Sequence, residues 1–218
     1  MVDLFFYYYC TIKNMKNILC YGDSNTYGYD PKTGERYDEN TRWTALLKKF
    51  LINEWNVIEE GCNNRTAIFD NECGVEQTGA KYLPTCLSKY EDLDTVLISL
   101  GANDLQKFFD HSDINIQKGL SDLIKIIRAH DRRMRIIIVA PPKLSPAVLT
   151  GNFSNQFDEH SIRQSLKMKQ LYTKISLEEF CETISLDDVI KVSEVDGLHY
   201  DVDAHKKVAV YLTEYLMR

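Results

Sequence analysis

Strand and helix patterns alternate along the sequence, and this alternation predicts an α/β fold in which helices cover both faces of a parallel sheet. Two short apolar runs, at residues 18–21 and 95–100, have the composition of buried strands. Each run leads directly into a polar segment, Gly-Asp-Ser at 22–24 and Gly-Ala-Asn-Asp at 101–104. Because open parallel sheets bind ligands beyond the carboxyl ends of their strands, we expect the functional site at that edge.

The remaining elements follow in the order that this fold requires. Further strands are predicted at 57–61, 135–140 and 183–189, and helices at 42–51, 79–90, 114–130, 161–181 and 202–217. Asn40 or Thr41 can cap the first of these helices. Pro141 and Pro142 close the fourth strand, since proline cannot continue a central strand. Residues 145–160 form a long polar loop, and loops of that length inside a compact domain are usually functional or mobile.

The chain is long enough for one substantial core, with 218 residues of which 44% are hydrophobic. No linker rich in Gly, Ser or Pro divides it, so we predict one domain at 15–218, preceded by a poorly ordered extension at 1–14. That extension is aromatic, but Asp3 precedes its apolar run and no Ala-x-Ala cleavage site follows it. We therefore expect a cytoplasmic protein, with secretion as the minority alternative.

Charge and cysteine content exclude several classes of partner. The net charge of −6 argues against binding to nucleic acid or to an anionic membrane. The basic run at 128–135 is interrupted by Asp131 and is read as a solvated turn. The six cysteines form no Cys-x-x-Cys pair, which favours a reduced compartment, and Cys20 and Cys181 lie in apolar patterns typical of small core residues.

The segment Asp-Gly-Leu-His at 196–199 adds a third polar motif to the two that follow strands. Ser24 alone could be an ordinary turn or cap residue, but the three motifs together indicate chemistry. The chain resembles the SGNH, or GDSL-type, hydrolases from about residue 16 to its C terminus, with Ser24, Asn103 and His199 in the first, third and last blocks of that family. The resemblance implies a three-layer, flavodoxin-like SGNH-hydrolase fold with a five-stranded parallel sheet in the order 2-1-3-4-5.

Within that family, the sequence is similar in pattern to the aryl esterase and acyltransferase branch. The matching segments are 18–24, 42–44, 57–61, 82–87 and 196–199. This similarity favours short acyl chains. It also implies a homo-oligomer in which residues 27–36 and 145–160 narrow the pocket mouth, so that alcohols compete with water for the acyl group.

Ser24, His199 and Asp196 have the residue types and spacing of a catalytic triad. A serine hydroxyl is a weak nucleophile unless a base removes its proton, and His199 is the natural base. Asp196, three residues earlier, can bond the other imidazole nitrogen across a single turn and so fix the tautomer.

Three groups are candidates for the oxyanion hole: the backbone N–H of Ser24, the backbone N–H near Asn64 and the side-chain amide of Asn103. The family usually has a glycine where this chain has Asn64, but asparagine enters the left-handed region more readily than most residues. An ordinary polar loop at 62–66 remains the alternative. Asp23 and Asp104 are read as turn and capping carboxylates.

The predicted substrate pocket includes Asn25, Tyr27 and Tyr29. His111, His130 and His160 lie in polar surroundings and are expected to be exposed. His199 and His205 lie near two aspartates, but the set does not make a convincing metal site, and we expect neither metal nor cofactor.

The sequence therefore predicts a serine esterase that hydrolyses, and can transfer, short acyl groups such as acetyl from small-molecule esters. Alternatives within the family are a carbohydrate acetyl esterase, a lysophospholipase or a thioesterase. Outside it, an inactive flavodoxin-like module that binds a small ligand remains open. A nucleotide-binding enzyme is disfavoured, since the chain has neither a Gly-x-Gly-x-x-Gly motif nor a P-loop.

Overall fold

The computed structural model of the protein describes residues 15–218 and contains one five-stranded sheet. The strands are β1 (Lys16–Gly22), β2 (Trp55–Gly61), β3 (Thr95–Ser99), β4 (Arg135–Ala140) and β5 (Glu182–Ser185). Their spatial order is β2-β1-β3-β4-β5, and every neighbouring pair is parallel. The predicted fold class and strand order are confirmed. The prediction for 1–14 falls outside the described residues.

Helices cover both faces of this sheet, which makes the fold three-layered. They are α1 (Ser24–Tyr27), α2 (Trp43–Phe50), α3 (Gly79–Leu87), α4 (Asp113–His130), α5 (Glu159–Ser165), α6 (Met168–Glu178) and α7 (Val202–Leu216). On one face, α3, α4 and α6 pack on Val96 and Ile98 of β3. On the other face, α2 and α7 pack on Leu97 of the same strand. Successive side chains of β3 thus enter opposite cores, which is why this strand is continuously apolar.

Several predicted boundaries differ from the structure. The predicted helix at 161–181 is two helices, α5 and α6, because the Ser165 hydroxyl donates to the Ile162 carbonyl and accepts from Leu144 N–H, in competition with the helical ladder. The predicted fifth strand ends at Ser185 and continues as a 3₁₀ turn, Leu186–Asp188. The long loop at 145–160 contains a 3₁₀ turn, Pro146–Leu149, and the start of α5.

Helices α2 and α3 also depart from their predicted ends. The N-cap of α2 is Arg42, and no side chain caps the helix, so the predicted cap at Asn40 or Thr41 is wrong. Helix α3 ends at Leu87, short of the predicted residue 90. Of the two cysteines expected in the core, Cys20 is fully buried and Cys181 is only half-buried.

No helix within residues 15–218 has the length and apolar character that a bilayer crossing would need.

Candidate active site

Ser24 enters the site because α1 begins immediately after β1. The turn is tight: a Cβ at Gly22 would lie 2.0 Å from Thr26 Oγ1 and 2.7 Å from the Ser99 carbonyl oxygen, so no larger residue fits. Asp23 caps the short helix by accepting from Asn25 N–H at 2.9 Å. The serine hydroxyl is thereby held at the carboxyl edge of the sheet, where the sequence places it.

Ser24, His199 and Asp196 form one continuous chain of hydrogen bonds. Ser24 Oγ lies 2.8 Å from His199 Nε2, and His199 Nδ1 lies 2.6 Å from Asp196 Oδ2. Because a carboxylate can only accept, Nδ1 carries the proton and Nε2 is left to accept from the serine hydroxyl. All three side chains are buried. The structure brings together the three residues that the sequence selects.

The charge state of Asp196 follows from its surroundings. Burial raises the pKa of Asp196. The hydrogen bond and charge of His199, together with two backbone N–H groups, lower it by a larger amount, so the net pKa is below its usual value. The two backbone bonds run from Leu198 and His199 to Asp196 Oδ1, each at 3.0 Å. Asp196 is therefore an oriented anion at neutral pH.

The turn that carries His199 is fixed from two sides. Gly197 has φ 73°, and a Cβ there would lie 2.2 Å from Val148 N, so the position needs glycine. From the other side, Asn25 Nδ2 donates to the Leu198 carbonyl at 3.4 Å and Asn25 Oδ1 accepts from Tyr200 N–H at 3.0 Å. Asn25 therefore clamps this turn from the interior and does not line the cavity, which corrects its predicted pocket role.

The three predicted oxyanion donors are two backbone N–H groups and one side-chain amide. Among the described residues, no protein acceptor takes the backbone N–H of Ser24 or of Asn64. Asn64 has φ 63°, the left-handed conformation that the sequence predicts for it. Asn103 Nδ2 donates one hydrogen to the Arg65 carbonyl at 3.1 Å and keeps its second hydrogen for another acceptor. Their role as an oxyanion hole remains a prediction.

Gln106 links two of these residues, and no sequence pattern pointed to it. Its Nε2 lies 2.8 Å from Asn64 Oδ1 and 3.3 Å from Asn103 Oδ1, so one amide donates to both asparagine side chains. Both bonds hold the oxygen end of an asparagine amide. For Asn103, this leaves the nitrogen end as the donor.

A cavity of about 240 Å³ opens above the serine. Its lining includes two members of the predicted triad, the predicted side-chain donor and residues from neighbouring loops: Ser24, Tyr29, Asn63, Asn64, Asn103, Phe153, Gln156, Leu198 and His199. Tyr29 is in the predicted place. Tyr27 is not part of the lining; its ring lies 4.6 Å from the Arg36 guanidinium, and its carbonyl accepts from Arg36 Nε at 2.7 Å. The predicted pocket role of Tyr27 is corrected accordingly.

Two aromatic rings pack against the imidazole of His199. The ring centroid of Tyr29 is 4.3 Å from that of His199, and the centroid of Phe153 is 5.2 Å from it. Phe153 belongs to the loop at 145–160, whose length predicted a functional or mobile segment without identifying the residue. These rings form the wall of the cavity next to His199, the predicted catalytic base.

Asp23 and Asp104 lie buried beneath the site. Asp23 acts as the predicted cap, whereas Asp104 accepts from Ala67 N–H at 2.7 Å and Ile68 N–H at 3.3 Å, joining the end of β3 to the loop after β2. Burial raises the pKa of Asp23 to about 7, with a smaller contribution from the charge of Asp104. Burial also raises the pKa of Asp104 to about 6, against the opposing effect of its backbone donors.

The other histidines lie outside the cavity. His111 is only 4% exposed, because its ring stacks on His160 at a centroid distance of 4.5 Å, so the expectation that it is exposed is wrong. His130 and His160 are exposed, as predicted. His205 is fully buried, accepts from Trp43 N–H at 3.2 Å, and has its pKa lowered to about 3 by burial. Within residues 15–218, no group of three or more His, Cys, Asp and Glu side chains is placed to hold a metal ion.

Comparison with known proteins gives one family and a consistent set of structures. The model of the GDSL-like lipase/acylhydrolase family matches residues 20–207. The inhibitor-bound aryl esterase of M. smegmatis is 29% identical, with a TM-score of 0.85 over 93% of this chain and 98% of that chain. A carbohydrate acetylesterase family member from Sinorhizobium meliloti is 31% identical, with a TM-score of 0.87 over 93% and 97%.

A further carbohydrate acetylesterase from Sinorhizobium meliloti is 26% identical, with a TM-score of 0.85 over 93% of this chain and 98% of that chain. Among curated proteins, no sequence matches this chain significantly. Each of the three structural matches covers nearly the whole of both chains.

Proposed function

The chain belongs to the GDSL-like lipase/acylhydrolase family, and from this premise we propose that it is a serine esterase that hydrolyses short-chain esters, acetyl esters in particular, through an acyl-enzyme on Ser24. The observation that carries the proposal is the unbroken chain from Ser24 Oγ through His199 to Asp196, at 2.8 and 2.6 Å, facing a cavity. A catalytically inactive binding module would not require a serine, a histidine and an aspartate hydrogen-bonded in series.

The first half of the reaction forms the acyl-enzyme. Ser24 Oγ attacks the ester carbonyl carbon while its proton passes to His199 Nε2. The carbonyl oxygen becomes an oxyanion, which the N–H groups of Ser24 and Asn64 and the amide of Asn103 can bind. The intermediate then collapses, the C–O bond to the alcohol breaks, and the alcohol leaves with the proton from His199. The second half repeats these steps with water as the attacking group and releases the acid and free Ser24.

The size of the cavity supports a short acyl chain. Sites for drug-sized ligands occupy roughly 300–1,000 Å³, and the cavity here is smaller, at about 240 Å³. The alcohol must receive its proton from His199 Nε2, so it leaves beside the imidazole. Tyr29 and Phe153 pack on that imidazole and would therefore contact the alcohol. An apolar or aryl alcohol, or the apolar face of a sugar, suits such a wall.

A panel of nitrophenyl esters from acetate to laurate tests the acyl preference. We expect kcat/KM to be highest for acetate and to fall steadily with chain length. A preference for laurate would contradict the proposal. Acetylated sugars assayed beside aryl acetates then distinguish the two kinds of leaving alcohol, which the aryl esterase and carbohydrate acetylesterase neighbours both represent.

Acyl transfer and assembly extend the proposal. Residues 27–36 and 145–160 each supply one aromatic ring to the cavity and are exposed over much of their length. A second subunit packed against them would narrow the mouth and exclude water, so that alcohols compete for the acyl-enzyme. A homo-oligomer by light scattering and alcohol-dependent ester formation are the expected results. A monomer whose hydrolysis is unaffected by alcohol would refute both.

The proposed location is cytoplasmic. All five cysteines within residues 15–218 are unpaired, which suits a reducing compartment. The proposed partner is a small ester, with no nucleic acid or membrane involved. Cell fractionation with an antibody against the chain provides the test, and recovery outside the cell would contradict it.

A further inference from the structure

Arg65 is buried near the active site without a carboxylate partner. Its side chain is only 1% exposed, and none of the carboxylates in residues 15–218 makes an ion pair with it. A buried charge is unfavourable unless its surroundings compensate for it. The compensation here comes from backbone carbonyl groups and from aromatic rings.

The guanidinium donates to three separate segments of backbone. Nε donates to the Glu76 carbonyl at 2.7 Å, and Nη1 donates to the carbonyls of Gly22 at 3.0 Å and Glu60 at 2.6 Å. Its carbon atom Cζ lies 4.4 Å from the ring centroid of Tyr21 and 5.2 Å from that of Tyr82, within the range of cation–π attraction. The side chain thus ties the ends of β1 and β2 to the turn at Val75–Gln77.

Two of the three segments that the Arg65 side chain holds, at Gly22 and Glu60, lead into loops that carry a proposed oxyanion donor. Gly22 is two residues before Ser24, and Asn64 directly precedes Arg65 in the loop that follows Glu60. The third donor is held by the backbone of the same residue, since Asn103 Nδ2 donates to the Arg65 carbonyl at 3.1 Å. The three donors follow three different strands, and Arg65 holds the end of the strand before Ser24, adjoins Asn64 and contacts Asn103.

We propose that Arg65 is the positioning residue of the oxyanion hole, and this inference rests on the proposed esterase function. By bridging the ends of β1 and β2 with one rigid, planar group, it fixes the distance between the backbone donors of Ser24 and Asn64. Its carbonyl oxygen fixes the amide of Asn103. Because these donors act when negative charge develops on the substrate oxygen, their placement affects the transition state more than substrate binding.

Arg65→Lys tests this role, because lysine keeps the charge but has one nitrogen where arginine has three in a fixed fork. We expect kcat to fall by about 10- to 100-fold with KM within about threefold of wild type. Arg135→Lys is the matched control. Arg135 is ion-paired to Glu182 at 2.6 Å at the opposite end of the sheet, and its replacement should leave kcat unchanged.

A double-mutant cycle with Asn103→Ala separates positioning from general destabilisation. If Arg65 acts through the donors, the combined loss in kcat will be clearly smaller than the product of the two single losses, because the side chain of Arg65 places the donors of Ser24 and Asn64, Asn103 supplies the third, and all three bind the same oxyanion. Losses that multiply fully, or a folded Arg65→Lys variant with wild-type kcat, would overturn the proposal.

A second variant keeps the test valid if Arg65→Lys does not fold. Tyr82→Leu removes one ring from the guanidinium and leaves Arg65 in place, and it should lower kcat by about 3- to 10-fold without changing KM. A folded Tyr82→Leu variant with unchanged kcat would count against the role of Arg65. Labelling of wild type, but not of Ser24→Ala, by a fluorophosphonate shows separately whether the esterase assignment itself holds.

Discussion

Replacing Asp196 by asparagine tests the hydrogen-bond relay in a direction that the structure dictates. Asp196 Oδ1 accepts two backbone N–H groups, from Leu198 and His199, each at 3.0 Å. An asparagine keeps these bonds only if its oxygen takes the Oδ1 position. Its NH₂ group must then occupy the Oδ2 position, 2.6 Å from His199 Nδ1 in the wild type.

The amide would therefore force the imidazole into the wrong tautomer. Facing a donor, Nδ1 has to become the acceptor, so the ring proton moves to Nε2, which can then no longer take the proton of Ser24. In the serine protease template this exchange lowers kcat by about 10⁴-fold, equivalent to about 5.4 kcal/mol at 1.36 kcal/mol per tenfold change. We expect a loss of that order here.

The assay is hydrolysis of nitrophenyl acetate, with kcat and KM determined separately and folding checked by thermal denaturation. The Asp196→Asn variant should melt near the wild-type temperature, because the backbone bonds of the turn survive. Asp201→Asn is the matched control: Asp201 only caps α7, accepting from Ala204 N–H at 2.8 Å, and asparagine caps equally well. An Asp196→Asn enzyme within tenfold of wild-type kcat would refute the reasoning.

Further predictions concern the nucleophile, the donors and a buried carboxylate. Ser24→Ala and His199→Ala should each abolish esterase activity in folded protein, and near-wild-type turnover by either would show the triad to be wrong. Asn103→Ala should lower kcat by about 10²-fold with little change in KM, whereas a pure KM effect would assign it to substrate binding. Burial raises the pKa of Asp104 from 3.8 to about 6, so between these pH values the folded state retains a proton that the unfolded state has lost. The free energy of unfolding should therefore fall by on the order of 3 kcal/mol as pH rises from about 4 to about 6, through the contribution of Asp104 alone. Measured by urea denaturation, this fall should be smaller in the Asp104→Asn variant than in wild type. An identical pH dependence in the two proteins would contradict the prediction.

The fold was predictable from sequence because both faces of the sheet are buried. A strand such as β3 sends alternate side chains into two cores, so it appears as an uninterrupted apolar run and is easily recognised. The strand order came from the family resemblance. Boundaries were less predictable, since the break between α5 and α6 depends on Ser165 meeting Leu144, which lies 21 residues away along the chain.

The arrangement of Ser24, His199 and Asp196 was predictable because these residues lie at a strand end or within a single turn, where linear motifs specify geometry. The residues that form and support the cavity wall could not be predicted in the same way. Asn25 directly follows Ser24, the proposed nucleophile, but in the helical turn of α1 consecutive side chains point about 100° apart, and Asn25 therefore faces the interior. Phe153 reaches the site through the tertiary path of its loop, and Gln106 through the 3₁₀ turn that begins at Asn103, and sequence periodicity encodes neither.

Mass spectrometry of the acylated enzyme tests the central claim most directly. The protein is mixed with nitrophenyl acetate, quenched in acid while turnover continues, and analysed intact and after digestion. An acyl-enzyme mechanism predicts a species heavier by one acetyl group, with the label on Ser24 and no such species in Ser24→Ala. Continued turnover with no acetylated protein, or with the label confined to another residue, would contradict it.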